Sequence, residues 1–327
     1  MKVLVCGGAG YIGSHTVREL LDRGYEAVVF DNLEKGRRQA VPDKTPLIIG
    51  DLRNLSDIDR AIAETKPDAV IDFAAYSLVG ESTQKPLDYF ENNVFGTLNL
   101  LKAMRANGVG HIVFSSTAAV YGESDLSPIP EGTPTNPTNP YGESKLCVEK
   151  LLKWAGPAYD IKYSVLRYFN VAGAHISGEI GEDHKPETHL IPLVLAAALN
   201  DGAVGVYGND YNTRDGTCIR DYIHVTDLAD AHILALQHIR EHGASTTFNL
   251  GNGKGFSVLE IIECARAVTG VNIKTHIAPR RKGDPSTLVA SSERIVAELG
   301  WKPKMNDLNT IISTAWKWHK NHRNGFE

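Results

Sequence analysis

Apolar positions in the first half of the chain follow two alternating rhythms. Short unbroken runs at residues 3–6, 27–30, 47–49, 69–73, 111–114 and 163–166, several rich in Val and Ile, read as strands. Between them, apolar residues recur at helical spacing over 12–21, 57–64, 85–107 and 139–154. In the third of these, Val94, Leu98, Leu101 and Met104 share one side. Continuous apolar strands alternating with helices predict an α/β fold, a Rossmann-type doubly wound parallel sheet covered on both faces. Ligands of such a sheet bind beyond the carboxyl ends of its strands, so the residues just after each run carry the functional information.

The rhythm loosens after Gly173. Helices are expected over 190–199, 227–238, 257–268, 291–299 and 308–319, and strands over 204–207 and 248–250. The expected division is a nucleotide-binding domain over 1–173 and a smaller C-terminal α/β substrate-binding domain over 174–327. One or more segments of the second part are free to return to the main sheet.

The turn after the first run, Gly7-Gly8-Ala9-Gly10-Tyr11-Ile12-Gly13, has both GxGxxG and GxxGxxG spacing and opens a helical segment. Glycines there permit a tight turn, bring backbone N–H groups close to a pyrophosphate and let the helix pack near the sheet. The helix N-terminus adds free N–H groups and the positive end of its dipole. Asp31 closes the second strand. A carboxylate there accepts hydrogen bonds from an adenosine ribose and repels a 2′-phosphate, which selects NAD over NADP.

Composition narrows the partners. The 327 residues are 42% hydrophobic and 22% charged, as in an ordinary soluble protein. A net charge of −5 gives no global field to attract nucleic acid or an anionic membrane. No apolar run approaches the length of a bilayer span, and the first strand leaves no room for a signal peptide, so a cytoplasmic location is expected. Cys6, Cys147, Cys218 and Cys264 are scattered without CxxC spacing and read as reduced. No metal site is read among the histidines.

The second chemical feature is Tyr141-Gly142-Glu143-Ser144-Lys145. Residues four apart on a helix share a face. Free tyrosine has a pKa of about 10, and bringing it near neutrality requires roughly 4 kcal/mol. A positive charge about 4 Å away at an effective dielectric of 20 supplies energy of that order. Lys145 is one such charge and an oxidised nicotinamide ring a second. Tyr141 could then take a proton from a substrate hydroxyl as hydride leaves the same carbon, with Thr117 hydrogen-bonding that hydroxyl.

Seven segments in order, GGAGYIGSH, NNVFGTLNLL, FSSTAAVYG, NPYGESK, LRYFNVAGAH, DGTCIRDYIHV and RRKGDP, resemble the UDP-glucose 4-epimerase family of the extended short-chain dehydrogenases/reductases, from residue 7 to about 285. The resemblance implies NAD held at the Gly7, Gly10 and Gly13 turn and at Tyr11, Ile12, Asp31, Asn32, Asp51, Leu52, Phe73, Ala74, Ala75, Asn92, Lys145 and Phe169. It places Thr117 and Tyr141 at the reacting sugar. A UDP-sugar site is implied at Asn170, His189, Leu190, Val206, Tyr207, Arg220, Arg281 and Asp284, with Leu288 beside the C2 substituent of the sugar. The implied reaction exchanges UDP-glucose and UDP-galactose through a 4-keto sugar, with NAD retained. A homodimer is implied, paired through the helices at 85–107 and 139–154.

Three positions depart from that family's pattern. Ser77 stands where a lysine is usual, Thr117 where a serine is, and His189 where an asparagine is common. Other readings share parts of the motif set. A UDP-N-acetylhexosamine or UDP-uronate 4-epimerase differs only in the pocket. An NDP-sugar 4,6-dehydratase needs an acidic pair where Ala118 and Ala119 follow Thr117, and a non-catalytic NAD-sensing regulator has no need of Tyr141 with Lys145.

Overall fold

The computed structural model describes residues 1–281 and 284–327. Its strands are β1 (Lys2–Cys6), β2 (Glu26–Asp31), β3 (Leu47–Ile49), β4 (Ala69–Asp72), β5 (His111–Thr117), β6 (Lys162–Tyr168), β7 (Asn170–Ala172), β8 (Ala203–Tyr207), β9 (Ile219–Arg220), β10 (Tyr222–His224), β11 (Thr246–Leu250), β12 (Phe256–Ser257), β13 (Lys274–Ala278) and β14 (Thr287–Leu288). The α-helices are α1 (Tyr11–Asp22), α2 (Leu55–Thr65), α3 (Val79–Gln84), α4 (Pro86–Tyr89), α5 (Gly96–Ala106), α6 (Pro140–Tyr159), α7 (Leu190–Leu199), α8 (Val225–His242), α9 (Val258–Thr269), α10 (Glu293–Leu299) and α11 (Leu308–Asn321).

Seven parallel strands form the main sheet in the order β11-β6-β5-β4-β1-β2-β3. Val3, Leu4 and Val5 of central β1 are fully buried, because helices cover both faces. One face packs β1 and β2 residues with Val17, Leu20, Leu228 and Leu236 from α1 and α8. The other packs Leu4, Val28 and Val70 with Ile58, Leu100, Met104 and Leu152 from α2, α5 and α6. The chain reverses direction across the sheet between β1 and β4, and a crevice opens there beyond their carboxyl ends.

One expectation is revised and another made specific. The single helix expected over 85–107 is α4 and α5 joined by a π-helical stretch, Phe90–Phe95. Such a bulge turns successive side chains off the α-helical register, and here it buries Asn93 beside α6. The strand expected over 248–250 is part of β11, which leaves the C-terminal part and pairs with β6 from Thr246↔Ser164 to Leu250↔Tyr168.

Outside the main sheet lie small ones: β10 with β7, β12-β9-β14, and β13 with β8. Their apolar faces and α7, α9 and α11 share a separate core that includes Ile191, Leu195, Val206, Ile262 and Ile312. Asp221 joins these pieces to the end of β11. Its carboxylate accepts from Asn252 N at 2.5 Å, Gly253 N at 3.0 Å and Ala290 N at 3.0 Å.

Candidate active site

A cavity of about 580 Å³ opens at the carboxyl ends of the sheet. Gly7, Gly10, Tyr11, Ile12, Gly13, Phe73, Ala75, Ser77, Thr117, Tyr141, Lys145, Phe169, Asn170, His189, Leu190 and Leu288 all line it. An adjoining cleft of about 110 Å³ is lined by Asp31, Asn32, Asp51, Leu52, Ala74 and Asn92, with Gly7 and Gly10 again. The two spaces therefore meet at the glycine turn.

That turn fits a dinucleotide by what it lacks. Gly7 has a φ of +73°, and a Cβ on Gly13 would stand 2.2 Å from Gly7 O, so α1 sits directly on the turn only because both residues are glycine. Asp31 stiffens the turn from behind, accepting Ala9 N at 2.9 Å and Leu33 N at 2.8 Å. Burial pushes its carboxyl above the usual range, and the two N–H groups oppose that shift. Asp51 differs. The Arg53 guanidinium hydrogen-bonded to it, with Asn32 at 3.0 Å, holds it down to about 2.

Tyr141 and Lys145 are placed by α6. Asn139 caps that helix by accepting Gly142 N at 2.9 Å, with Pro140 in the first turn. A buried network fixes the helix to the sheet. Glu149 on α6 accepts Arg167 Nε at 2.9 Å and Ser116 Oγ at 2.6 Å, while Arg167 also reaches Tyr121 Oη at 2.9 Å. Tyr121 in turn donates to Asn249 of β11 at 2.7 Å. Asn93 donates to Ser144 Oγ at 2.9 Å and accepts Tyr76 N at 2.8 Å, tying the loop after β4 to α6.

The electrostatics at the reacting pair are set mainly by burial. Tyr141 is pushed up to about 12 by burial, and the Thr117 hydroxyl only partly offsets this. The Lys145 ammonium donates to Ser115 O at 2.8 Å and lies 4.8 Å from the Phe114 ring centre. Burial lowers Lys145 to about 8, against the pull of Asp72 and Glu149. In the nucleotide-free protein burial is thus the dominant influence on Tyr141.

Five of the residues implied for the sugar nucleotide do not line the cavity: Val206, Tyr207, Arg220, Arg281 and Asp284. Val206 is buried in the small core. Tyr207 is half exposed, with the Arg281 guanidinium 4.0 Å above its ring. Arg220 is ion-paired with Asp284. It reaches the cavity only through its strand partner Leu288. Lys282 and Gly283, inside the RRKGDP segment, lie outside the described residues.

The lining also contains groups that the sequence reading passed over. Lys35, Arg37, Tyr76, Asp183, His184, Lys185 and Phe326 face the cavity. Arg37 and Phe326 come from opposite ends of the chain and are held by one carboxylate, that of Asp183, at 3.1 and 3.4 Å. A second overlooked feature was visible as spacing: Glu182, His184, Glu187 and His189, on alternate or near-alternate positions, converge on one another.

A model of the NAD dependent epimerase/dehydratase family matches residues 3–251. The chain belongs to that family. The family member from Halalkalibacterium halodurans named UDP-glucose 4-epimerase is 56% identical over 327 residues, spanning 100% of this chain and 98% of its own length. A solved structure of a UDP-glucose 4-epimerase superposes with a TM-score of 0.98 at 52% identity, covering 100% of both chains. The UDP-glucose 4-epimerase from Bifidobacterium longum, solved with NAD+ and UDP, gives a TM-score of 0.94 at 41% identity and also covers 100% of both chains.

Proposed function

We propose that this epimerase/dehydratase family member interconverts UDP-glucose and UDP-galactose by inverting C4 of the sugar, with NAD as a retained group. The observation that carries the reading is the position of Tyr141, Lys145 and Thr117 in the one cavity that also contains the glycine turn. NAD held there would supply a hydride acceptor and donor and, when oxidised, a positive charge. The residues then divide the work. Gly7, Gly10 and Gly13 admit the diphosphate to the N-terminus of α1, and Asp31, Asn32 and Asp51 border the cleft that suits the adenosine. Tyr141 takes the O4 proton and returns it, Thr117 orients that oxygen, and Lys145 holds its ammonium 2.8 Å from Ser115 O, on the same helical face as Tyr141.

Residues 174–327, without β11 and α8, are read as the sugar-nucleotide side. Asn170 of β7, with His189, Leu190 and Leu288 from that part, is read as bordering the sugar. Arg220 and Arg281, with Asp284, Val206 and Tyr207, are read as the diphosphate and uridine side, which requires that part to close toward the cavity. Arginine suits a diphosphate because its planar fork binds two oxygens at once. A homodimer fits the exposure of Leu87, Phe95, Trp154 and Tyr159 on α4, the π-helical stretch and α6. A cytoplasmic location fits the four free cysteines. No helix among the described residues is long and apolar enough to cross a membrane.

The test is an assay on UDP-galactose without added NAD, paired with nucleotide analysis of the denatured, dialysed protein. UDP-glucose should form, and close to stoichiometric NAD(H) should be released. A protein that turns over only when free NAD is supplied would refute retention, and one that leaves UDP-galactose unchanged would refute the reaction.

A further inference from the structure

The loop before α7 places four donors of mixed type within a few residues. Glu182 Oε1 is met by His184 Nδ1 at 3.0 Å and by His189 Nδ1. Glu187 stands 3.9 Å from His184 Nδ1 through one oxygen and 3.8 Å from His189 Nδ1 through the other. One ligand atom from each of the four lies within 4.8 Å of all the others. Hydrogen bonds account for part of this convergence, since His189 Nδ1 bonds to Glu182 and Glu187 Oε1 accepts Thr188 N at 2.6 Å and His189 N at 2.7 Å, but they leave His184 out. His184 Nδ1 is a buried atom whose nearest polar group is Glu182 Oε1 at 3.0 Å, with no well-formed hydrogen bond to it.

We propose that Glu182, His184, Glu187 and His189 form a divalent-cation site of the zinc class, which pins the loop carrying His189 and Leu190 against the cavity. Around a tetrahedral ion with bonds of about 2.0–2.1 Å, ligand atoms stand about 3.3–3.5 Å apart. Three of the four His–Glu separations, 3.0–3.9 Å, bracket that spacing, and the His189–Glu182 contact is shorter, so that pair must part by an outward shift to admit the ion. Two imidazoles and two carboxylates suit zinc, whereas calcium and magnesium favour all-oxygen sets. With neutral imidazoles the two carboxylates balance a 2+ ion. Four protein ligands complete a tetrahedral shell, so the site holds structure and offers no open position for a reacting water.

The surroundings make the site a tie point. The backbone carbonyl of Glu182 accepts Trp318 Nε1 at 3.0 Å, which fixes the start of the loop to α11. His189 caps α7 at its end. The His184 ring meets the ring of Tyr11, first residue of α1, edge to face at 6.3 Å between centres. An ion there links the glycine-turn helix, the loop and α7 through a single point. Nothing in this inference depends on the epimerase reading, since metal content is measured whether or not a sugar is turned over.

The experiment strips the purified holoenzyme with a chelator, titrates Zn2+ by calorimetry and counts bound metal by mass spectrometry. Uptake of about one equivalent is expected. Co2+ taken up in its place should show the intense visible bands of a four-coordinate ion. The double variant His184→Ala/Glu187→Gln should weaken zinc binding by at least ~100-fold, with retained bound nucleotide showing that it is folded. If that variant loses its nucleotide, Glu187→Gln alone is read instead, with ~10-fold weakening expected. His238→Ala, in the stacked His238–His242 pair of α8, is the control and should bind zinc as the wild type does. Absence of stoichiometric uptake, unchanged affinity in the loop variants, or loss of zinc in the His238 variant would each overturn the site.

Discussion

At the α1 end of the cavity the glycine turn itself is backbone and small side chains, and the buried carboxylate of Asp31 behind it is committed to one N–H of that turn and one of the loop after β2. Charged groups that residues 174–327 bring to the cavity and its rim are committed to partners: Arg220 to Asp284, Asp183 to Arg37, and Glu182 to His184 and His189. The first end is a shape, set before any ligand arrives. The second is a set of pairings that an anionic ligand must exchange for its own. Selectivity at the glycine turn therefore comes from what fits, and at the second from which ion pairs can be replaced at little net cost.

The largest effect expected is at the boundary between the two ends. Tyr141→Phe removes the proton acceptor and little else, so kcat on UDP-galactose should fall ~10²–10⁴-fold while nucleotide content stays unchanged. Near wild-type turnover would place the base elsewhere.

The next concerns Lys145, whose pKa is near 8 in the folded protein against 10.5 when exposed. Between those values the unfolded chain keeps a proton that the native state has lost, so stability rises with pH across that window. Below pH 8 the full burial penalty applies. In nucleotide-free protein at pH 7, Lys145→Met should therefore stabilise by about 3 kcal/mol, and the gain should shrink toward pH 10.5. Urea unfolding of both proteins at pH 7 and pH 10 tests this, and a gain independent of pH would assign the effect to packing.

Asp31→Ala leaves the Ala9 and Leu33 N–H groups without acceptors, a loss of ~1–3 kcal/mol. NAD affinity should drop accordingly, and discrimination against NADP should relax. Titration of both nucleotides measures this, and an unchanged NAD-to-NADP ratio would separate the carboxylate from cofactor choice.

The smallest effect tests the pairing end. Leu288 lines the cavity beside its strand partner Arg220. Leu288→Ser shortens a side chain where one methylene is worth ~1–3 kcal/mol. The ratio of kcat/KM for UDP-GalNAc over UDP-galactose should rise several-fold. A static ratio would move the gate for the C2 substituent to another residue.

The preformed end was the legible one. A glycine turn, a strand and an acidic strand end are contiguous in sequence, and the local rules that shape them act over a few residues. The pairing end was legible only as residue types. Arg220 and Asp284 are brought together by β9 and β14, and nothing local records that they neutralise each other. Asn93 was hidden for another reason: the π-helical stretch shifts it out of the periodicity that a regular helix would display. For Tyr141 the spacing to Lys145 was legible in the sequence, whereas the balance of field and desolvation was not. That balance depends on where the amine points, and it points at Ser115 O.

The pairing of β11 with β6 bears on how the protein is made. β6 ends at Tyr168, yet the strand that closes its open edge begins at Thr246. A nascent chain that has emerged only as far as Gly173 carries six strands of the sheet and, besides the β3 edge, a second edge with unpaired N–H and C=O groups along Lys162–Tyr168. Closing that edge waits for the whole intervening segment, a long-range event that slows folding and prolongs exposure to aggregation. A gene fragment cut at the apparent end of the nucleotide-binding half should accordingly yield insoluble protein, whereas one that extends through Leu250 supplies the missing strand.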